Sequence, residues 1–258
     1  MDMEYESQNT IYCIAEKYGL KIIKINNKFG VLNHENKILI PLIYAHIWFC
    51  IDGYIKVSLN EKETLFTIYG EQLLPFKYDN ISISNHGLIY VSSNGKWGVL
   101  NRQFQEIVPT IYDHCIITDG YMTPILVKQN NKWGLVNSET GELISPPIYD
   151  NIGNSGVYDL FEFTELPADD VRLKTPFFNY GLASVQINGK WGFIDTKGEI
   201  KIPPVWDWVS ELGFYGGVAE VRLSDKKLFN WKSYEIDTSG KIRCELMRLD
   251  VHKIRPNN

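Results

Sequence analysis

Residues 94–98 read Asn94-Gly95-Lys96-Trp97-Gly98, and residues 188–192 spell the same pentapeptide. Between them, residues 130–134 read Asn-Asn-Lys-Trp-Gly. A catalytic loop is normally written once, whereas a joint in a repeating architecture recurs with every unit. Anchored on its lysine, the motif extends to Lys28, Lys62, Lys96, Lys132, Lys190 and Lys232. Asparagine stands two residues earlier each time, at Asn26, Asn60, Asn94, Asn130, Asn188 and Asn230. The lysine steps are 34, 34, 36, 58 and 42 residues, a base period of 34 with one long and one short insertion.

Further columns fall into the same register. A glycine precedes the tryptophan position by ten residues at Gly19, Gly53, Gly87 and Gly181. A proline follows it by twelve at Pro41, Pro75, Pro109 and Pro203, and an aromatic comes three later at Tyr44, Tyr78, Tyr112 and Trp206. In the fourth copy the doubled Pro146-Pro147 delays that aromatic to Tyr149. An acid comes next at Asp79, Asp113, Asp150 and Asp207.

These columns translate into strands. Runs such as Leu182–Ile187 are rich in β-formers, and Asn-Gly is the strongest short hairpin signal, because both residues accept the positive φ of a type I′ turn. A second strand follows, Trp97–Leu100 or Trp191–Ile194, then a turn plainest in Asp195-Thr196-Lys197-Gly198 and Asp237-Thr238-Ser239-Gly240. A third strand, such as Glu199–Ile202, stops at proline, which cannot donate to a central ladder. No stretch shows helical period with caps. Three short strands cannot bury their own apolar face, so neighbouring units must stack. Phe29-Gly30 in the first copy and Ser233-Tyr234 in the last depart from Trp-Gly as capping repeats would; Glu63-Thr64 in the second departs without that reason.

The expected fold is all-β, a tandem array of six 34-residue units of three short antiparallel strands. An open solenoid-like stack is favoured over a closed six-bladed β-propeller, whose blades carry four strands in about 40–45 residues. Residues 1–18 are read as an N-terminal cap strand, 19–242 as one domain of six repeats and 243–258 as a C-terminal tail.

Bulk properties narrow the function. The net charge of −5 argues against nucleic acid, which requires a basic face. Cys13, Cys50, Cys115 and Cys244 form no ligand or disulfide pattern, as expected of free thiols in a reducing compartment. The opening Met1-Asp-Met-Glu-Tyr-Glu6 lacks the basic and apolar regions of a signal peptide. No apolar run approaches the roughly 20 residues that span a bilayer. The expectation is a cytoplasmic protein without membrane contact.

Asn-Gly-Lys-Trp-Gly, two hydrophobic residues, a glycine turn and then Pro-x-x-Tyr-Asp resembles the bacterial WG-repeat family. The resemblance covers roughly residues 19–242 and is sharpest at Trp97-Gly98, Trp133-Gly134 and Trp191-Gly192. It implies an all-β repeat array with no shared catalytic activity and no established ligand, often regarded as an interaction scaffold.

The Trp-Gly pairs could offer stacking platforms for sugars or bases. Their recurrence in unit after unit favours rings that fill the joints, with glycine admitting a close backbone. The hairpin lysines are expected to lay their stems over the tryptophan of their own unit. His46 and His114 share a column with Asn80 and Asn151, which suits a short polar group bonding a turn better than a metal ligand. No HExxH, GxSxG, P-loop or GxGxxG is present, so no enzyme, cofactor or metal is expected.

The insertion over 151–178 breaks the rhythm. It combines Asp159, Glu162, Glu165, Asp169 and Asp170 with Phe161 and Phe163. Insertions in repeat proteins map to loops on one face, often the binding face, and acid around aromatics suits a basic protein partner. These seven residues are the expected partner-binding site. The expected function is a non-enzymatic protein-binding scaffold, in its sharper form an immunity protein neutralising a basic toxin domain. A carbohydrate or cell-wall binding module using exposed aromatics is the alternative.

Overall fold

The structure is a computed structural model and describes residues 12–50, 53–84, 87–117, 124–153, 178–210, 213–225 and 230–246. These form six antiparallel sheets, each a meander in chain order, and none closes into a barrel. The first holds β1 (Tyr12–Lys17), β2 (Leu20–Ile25), β3 (Lys28–Leu32) and β4 (Ile38–Tyr44). The second holds β5 (His46–Phe49), β6 (Tyr54–Leu59) and β7 (Lys62–Thr67). The third holds β8 (Asn80–Ile83), β9 (Ile89–Ser93), β10 (Lys96–Leu100) and β11 (Glu106–Tyr112). The fourth holds β12 (His114–Ile117), β13 (Ile125–Gln129), β14 (Lys132–Val136) and β15 (Leu143–Tyr149). The fifth holds β16 (Asn151–Ile152), β17 (Leu182–Ile187), β18 (Lys190–Asp195) and β19 (Ile200–Trp206). The sixth holds β20 (Trp208–Val209), β21 (Val218–Asp225), β22 (Asn230–Asp237) and β23 (Ile242–Leu246). The chain divides into two compact units, Met1–Cys115 and Ile116–Asn258.

The standard unit has four strands where the sequence suggested three. The connector after the Tyr-Asp column is itself a strand, β8, β12, β16 or β20, and opens the next sheet.

Local chemistry explains the turns. Asn26-Asn27, Asn60-Glu61, Asn94-Gly95, Asn130-Asn131 and Asn188-Gly189 all take φ between 48° and 76°, the positive values a two-residue type I′ hairpin demands. The sixth copy is an exception to the sequence reading. Asn230 pairs with Asp225 inside the β21–β22 ladder, so the strands run two pairs further before turning. Asn-x-Lys is therefore a hairpin in five copies, not six. The following turn is an Asx type: the Asp195 Oδ1 accepts from the Lys197 and Glu199 amides at 2.9 and 3.0 Å, and the Asn33 Oδ1 accepts from those of Glu35 and Lys37 at 3.0 and 2.9 Å.

The Trp-Gly glycine has a steric origin. Trp191 pairs with Trp206 and Phe193 with Ile202, so the facing strand carries two extra residues opposite Gly192. A Cβ on Gly192 would lie 2.5 Å from the Ile202 carbonyl oxygen and 2.7 Å from the Pro204 nitrogen. At Gly98 and Gly134 the nearest carbonyl oxygens would be at 2.6 and 2.7 Å. Thr64 occupies this place in the second copy. Its hydroxyl donates to the Leu74 carbonyl, and the strand that should follow is reduced to the bridges Phe66↔Gln72 and Glu63↔Tyr78. The three-stranded sheet is thus the one whose Trp-Gly glycine is replaced by threonine.

Each core belongs to a joint between two sheets. In the first unit, Ile22, Val31, Ile40 and Tyr44 pack with Ile47, Ile55, Val57 and Phe66 of the next sheet. Leu65, Leu74 and Tyr78 pack in turn with Ile81, Ile89, Val91 and Leu100. In the second unit, Trp133, Leu135 and Tyr149 meet Ile152, Ala183, Val185 and Ile194. Trp191, Phe193, Ile202 and Trp206 meet Val209, Phe214, Ala219, Val221 and Ile236. Each of these four clusters, among the described residues, draws on two sheets, as expected of units that are stable when stacked.

Candidate functional site

The Tyr-Asp column and the hairpin lysines form one device. The Lys62, Lys96, Lys132 and Lys190 ammonium groups pair with Asp79, Asp113, Asp150 and Asp207. The second carboxylate oxygen then accepts from a backbone amide of the following hairpin. Asp79 Oδ2 takes the Asn94 N–H at 2.6 Å, Asp150 Oδ2 that of Gly189 at 3.3 Å, and Asp207 Oδ2 that of Ser224 at 2.9 Å. Each of these three carboxylates clamps two successive hairpins. The hairpin lysine ammonium groups reach these acids, and Lys128, across the strand pair, lies over Trp133 at 5.1 Å. The signal was present in the sequence as a recurring offset of 17 or 18 residues between a cation column and an acid column.

The electrostatics fit a structural role. The hydrogen bond from Lys62, aided by the Asn94 amide, holds the Asp79 carboxyl below the usual carboxylate range, and Lys132 does the same for Asp150. A general acid needs the opposite shift. Because these folded-state pKa values are depressed, the clamps stabilise fully above the unfolded value of about 4 and lose their effect as pH falls through the folded values. Urea midpoints are expected to be flat above about pH 5 and to fall below about pH 4. Asp79→Asn with Asp150→Asn should shrink that acid-side fall; an unchanged profile would remove the clamps from the stability of the fold.

Glu63 is a local variant of the joint. Its buried carboxylate meets the Lys56 ammonium at 3.2 Å and accepts the Ile81 amide at 2.7 Å, tying the second sheet to the third where other copies use a ring. The tryptophans are joint residues as well: Trp133 is 6% and Trp191 8% exposed, and Trp97 is half-buried. Of the tryptophans, the most open to solvent are Trp231 at 50% and Trp48 at 42%, and neither occupies the Trp-Gly column. His46 and His114 begin strands; His46 stacks on Trp48 at 5.4 Å, and His114 meets Trp97 edge-on at 6.4 Å.

One surface feature repeats from sheet to sheet. The last strand of the first sheet exposes Ile38 and Ile43, and that of the third exposes Ile111. In the second unit, Leu143 and Ile148 of β15 and Ile200 and Val205 of β19 are exposed in the same way. Exposed Pro41, Pro109, Pro146 and Pro203 sit among them and deny a donor to any strand that would add to the edge.

The expected partner-binding residues, Asp159, Phe161, Glu162, Phe163, Glu165, Asp169 and Asp170, lie outside the described residues. Among the described residues, no three His, Cys, Asp or Glu side chains gather as metal ligands, and no helix is long and apolar enough to cross a membrane.

The repeat geometry has a counterpart among known families. The model of the WG containing repeat matches residues 29–62, 70–97, 97–133, 133–160, 175–191 and 191–226. The chain belongs to the WG-repeat family. Four of the matched segments begin on the ring column itself, at Phe29, Trp97, Trp133 and Trp191. No curated protein matches the chain. Among solved structures it is similar to PorZ, a bacterial surface component of the type-IX secretion system of Porphyromonas gingivalis, at 12% identity and a TM-score of 0.31. That match covers 88% of this chain and 33% of PorZ, so the chain spans about a third of PorZ. It is also similar to a streptogramin B lyase (15% identity, 94% and 83% covered, TM-score 0.30) and to Kluyveromyces lactis Hsv2 (13%, 85% and 71%, 0.31). Likenesses at this level bear on neither ligand nor activity.

Proposed function

We propose that this WG-repeat protein is a non-catalytic scaffold that binds another protein. The observation that carries the reading is the recurring exposed aliphatic edge, Ile38 and Ile43, Ile111, Leu143 and Ile148, Ile200 and Val205. Large apolar side chains repeated at one register offer a partner contact area, while the prolines between them prevent indiscriminate strand addition. The repeated polar groups support the same reading, because the lysines and aspartates of the clamps are occupied with each other and with backbone amides. The WG rings are poor sugar platforms, because their faces are spent on the joints.

The finer reading is an immunity-type protein that neutralises a basic toxin domain, with the acidic, Phe-rich insertion over 151–178 as its contact. Affinity capture from the native cell with mass spectrometry is the test. A single protein recovered in near-equal amount, and lost with Asp169→Lys plus Asp170→Lys, supports the finer reading. Loss with Leu143→Lys plus Ile148→Lys instead puts the contact on the aliphatic edge of β15 in the second unit. Recovery of no stoichiometric protein overturns the scaffold.

A further inference from the structure

The clamp between the first and second hairpins lacks its carboxylate. Ala45 stands where Asp79, Asp113, Asp150 and Asp207 stand in later copies. The backbone around it is unchanged. The Ala45 amide donates to the Ser58 carbonyl at 2.9 Å, as Asp79 does to Ser92 at 2.8 Å and Asp207 to Arg222 at 2.9 Å. Phe29 pairs with Tyr44 as Trp133 pairs with Tyr149 and Trp191 with Trp206. The Asn60-Glu61 turn, with φ of 50° and 62°, repeats the Asn94-Gly95 turn at 53° and 72°.

Register therefore places the exposed Lys28 ammonium where Lys62 and Lys190 hold their carboxylates, and the Asn60 amide where Asn94 donates to Asp79. A donor pair built to hold one carboxylate is retained, and the alanine contributes only a methyl group. We propose that this joint is a binding socket for a carboxylate from outside the chain. One oxygen takes the Lys28 ammonium and the other the Asn60 N–H, as the Asp79 oxygens do with Lys62 and Asn94. Three filled joints of the same molecule each hold a carboxylate in this frame, and a pair of donors has nothing to offer a cation. The socket itself does not depend on the scaffold reading. Assigning its occupant to an Asp, Glu or C-terminal carboxylate of a protein partner does.

The test is an amide NMR titration of the full chain with sodium acetate at constant ionic strength, with sodium chloride as control. The Asn60 amide is expected to shift saturably with acetate and not with chloride. Ala45→Asp fills the socket from within: it should abolish the acetate response and raise the thermal midpoint. Lys28→Gln should weaken acetate at least several-fold and leave the spectrum otherwise native. An Asn60 amide unmoved by acetate, or an Ala45→Asp variant that still responds, overturns the socket whatever becomes of the scaffold. A short peptide bearing one Asp is the second arm. Tighter binding than acetate, lost on Asp→Asn in the peptide, supports the protein source, whereas binding no tighter than acetate overturns that source and leaves a small carboxylate.

Discussion

Trp191→Ala is expected to destabilise the protein by about 3–5 kcal/mol, the range for deleting a large buried aromatic. The ring is 8% exposed and lies in the cluster that joins the fifth sheet to the sixth, with Phe193, Trp206 and Phe214. Because this cluster is shared by two sheets, recovering the vacated volume requires one sheet to move onto the next. A domain of ordinary stability has about 5–15 kcal/mol in total, so this loss is a large share of it. Urea unfolding followed by far-ultraviolet circular dichroism measures the effect. Trp133→Ala should fall in the same range and Trp97→Ala below it, because that ring is only half-buried. A loss under about 1 kcal/mol at Trp191 would show that the ring does not fill the joint and would reopen its use as a ligand platform.

The same ordering marks what could be read from the sequence. The hairpin turns were legible because their requirement is local: Asn-Gly and Asn-Asn accept positive φ wherever they occur, and five of the six copies turn there. Asn230 misled because the motif is a pair of letters, and the decisive fact is the ladder around it, which continues through Asp225. The tryptophans were legible as joint residues from recurrence alone, but the Glu63 substitute was not, because its partners Lys56 and Ile81 come from two different sheets.

The clamp was missed for a different reason. Lys62 and Asp79 each looked like a surface residue, and only their constant separation links them. The fourth strand was missed because strands as short as Asn151–Ile152 and Trp208–Val209 carry too few residues for a period to be visible. The aliphatic edge was hidden by the bulge: strict alternation would set Ile38 and Ile40 on one face, whereas the register shift leaves the first exposed and the second buried.

Gly192→Ala is expected to destabilise the protein by about 3 kcal/mol, the upper end of what overpacking costs. The new Cβ would meet the Ile202 carbonyl oxygen at 2.5 Å, the Pro204 nitrogen at 2.7 Å and the Pro203 carbonyl carbon at 2.8 Å. All three are backbone atoms, so no rotamer change relieves the contact and β19 must withdraw from β18. Gly189, three residues earlier, separates steric from conformational effects. A Cβ there meets nothing within 4 Å, but φ is 76°, so Gly189→Ala carries only the left-handed penalty of about 1 kcal/mol. Gly189→Asn should be close to neutral, since Asn131 already holds the equivalent turn position at φ 61°. The second copy shows what the larger change does, because Thr64 at this place coincides with a last strand reduced to two isolated bridges. Gly192→Thr is therefore expected to strip the fifth sheet to three strands. Hydrogen exchange would report it as lost protection along Ile200–Trp206 with β17 and β18 still protected; protection retained throughout would mean that the bulge, and not the glycine, sets the approach of the strands.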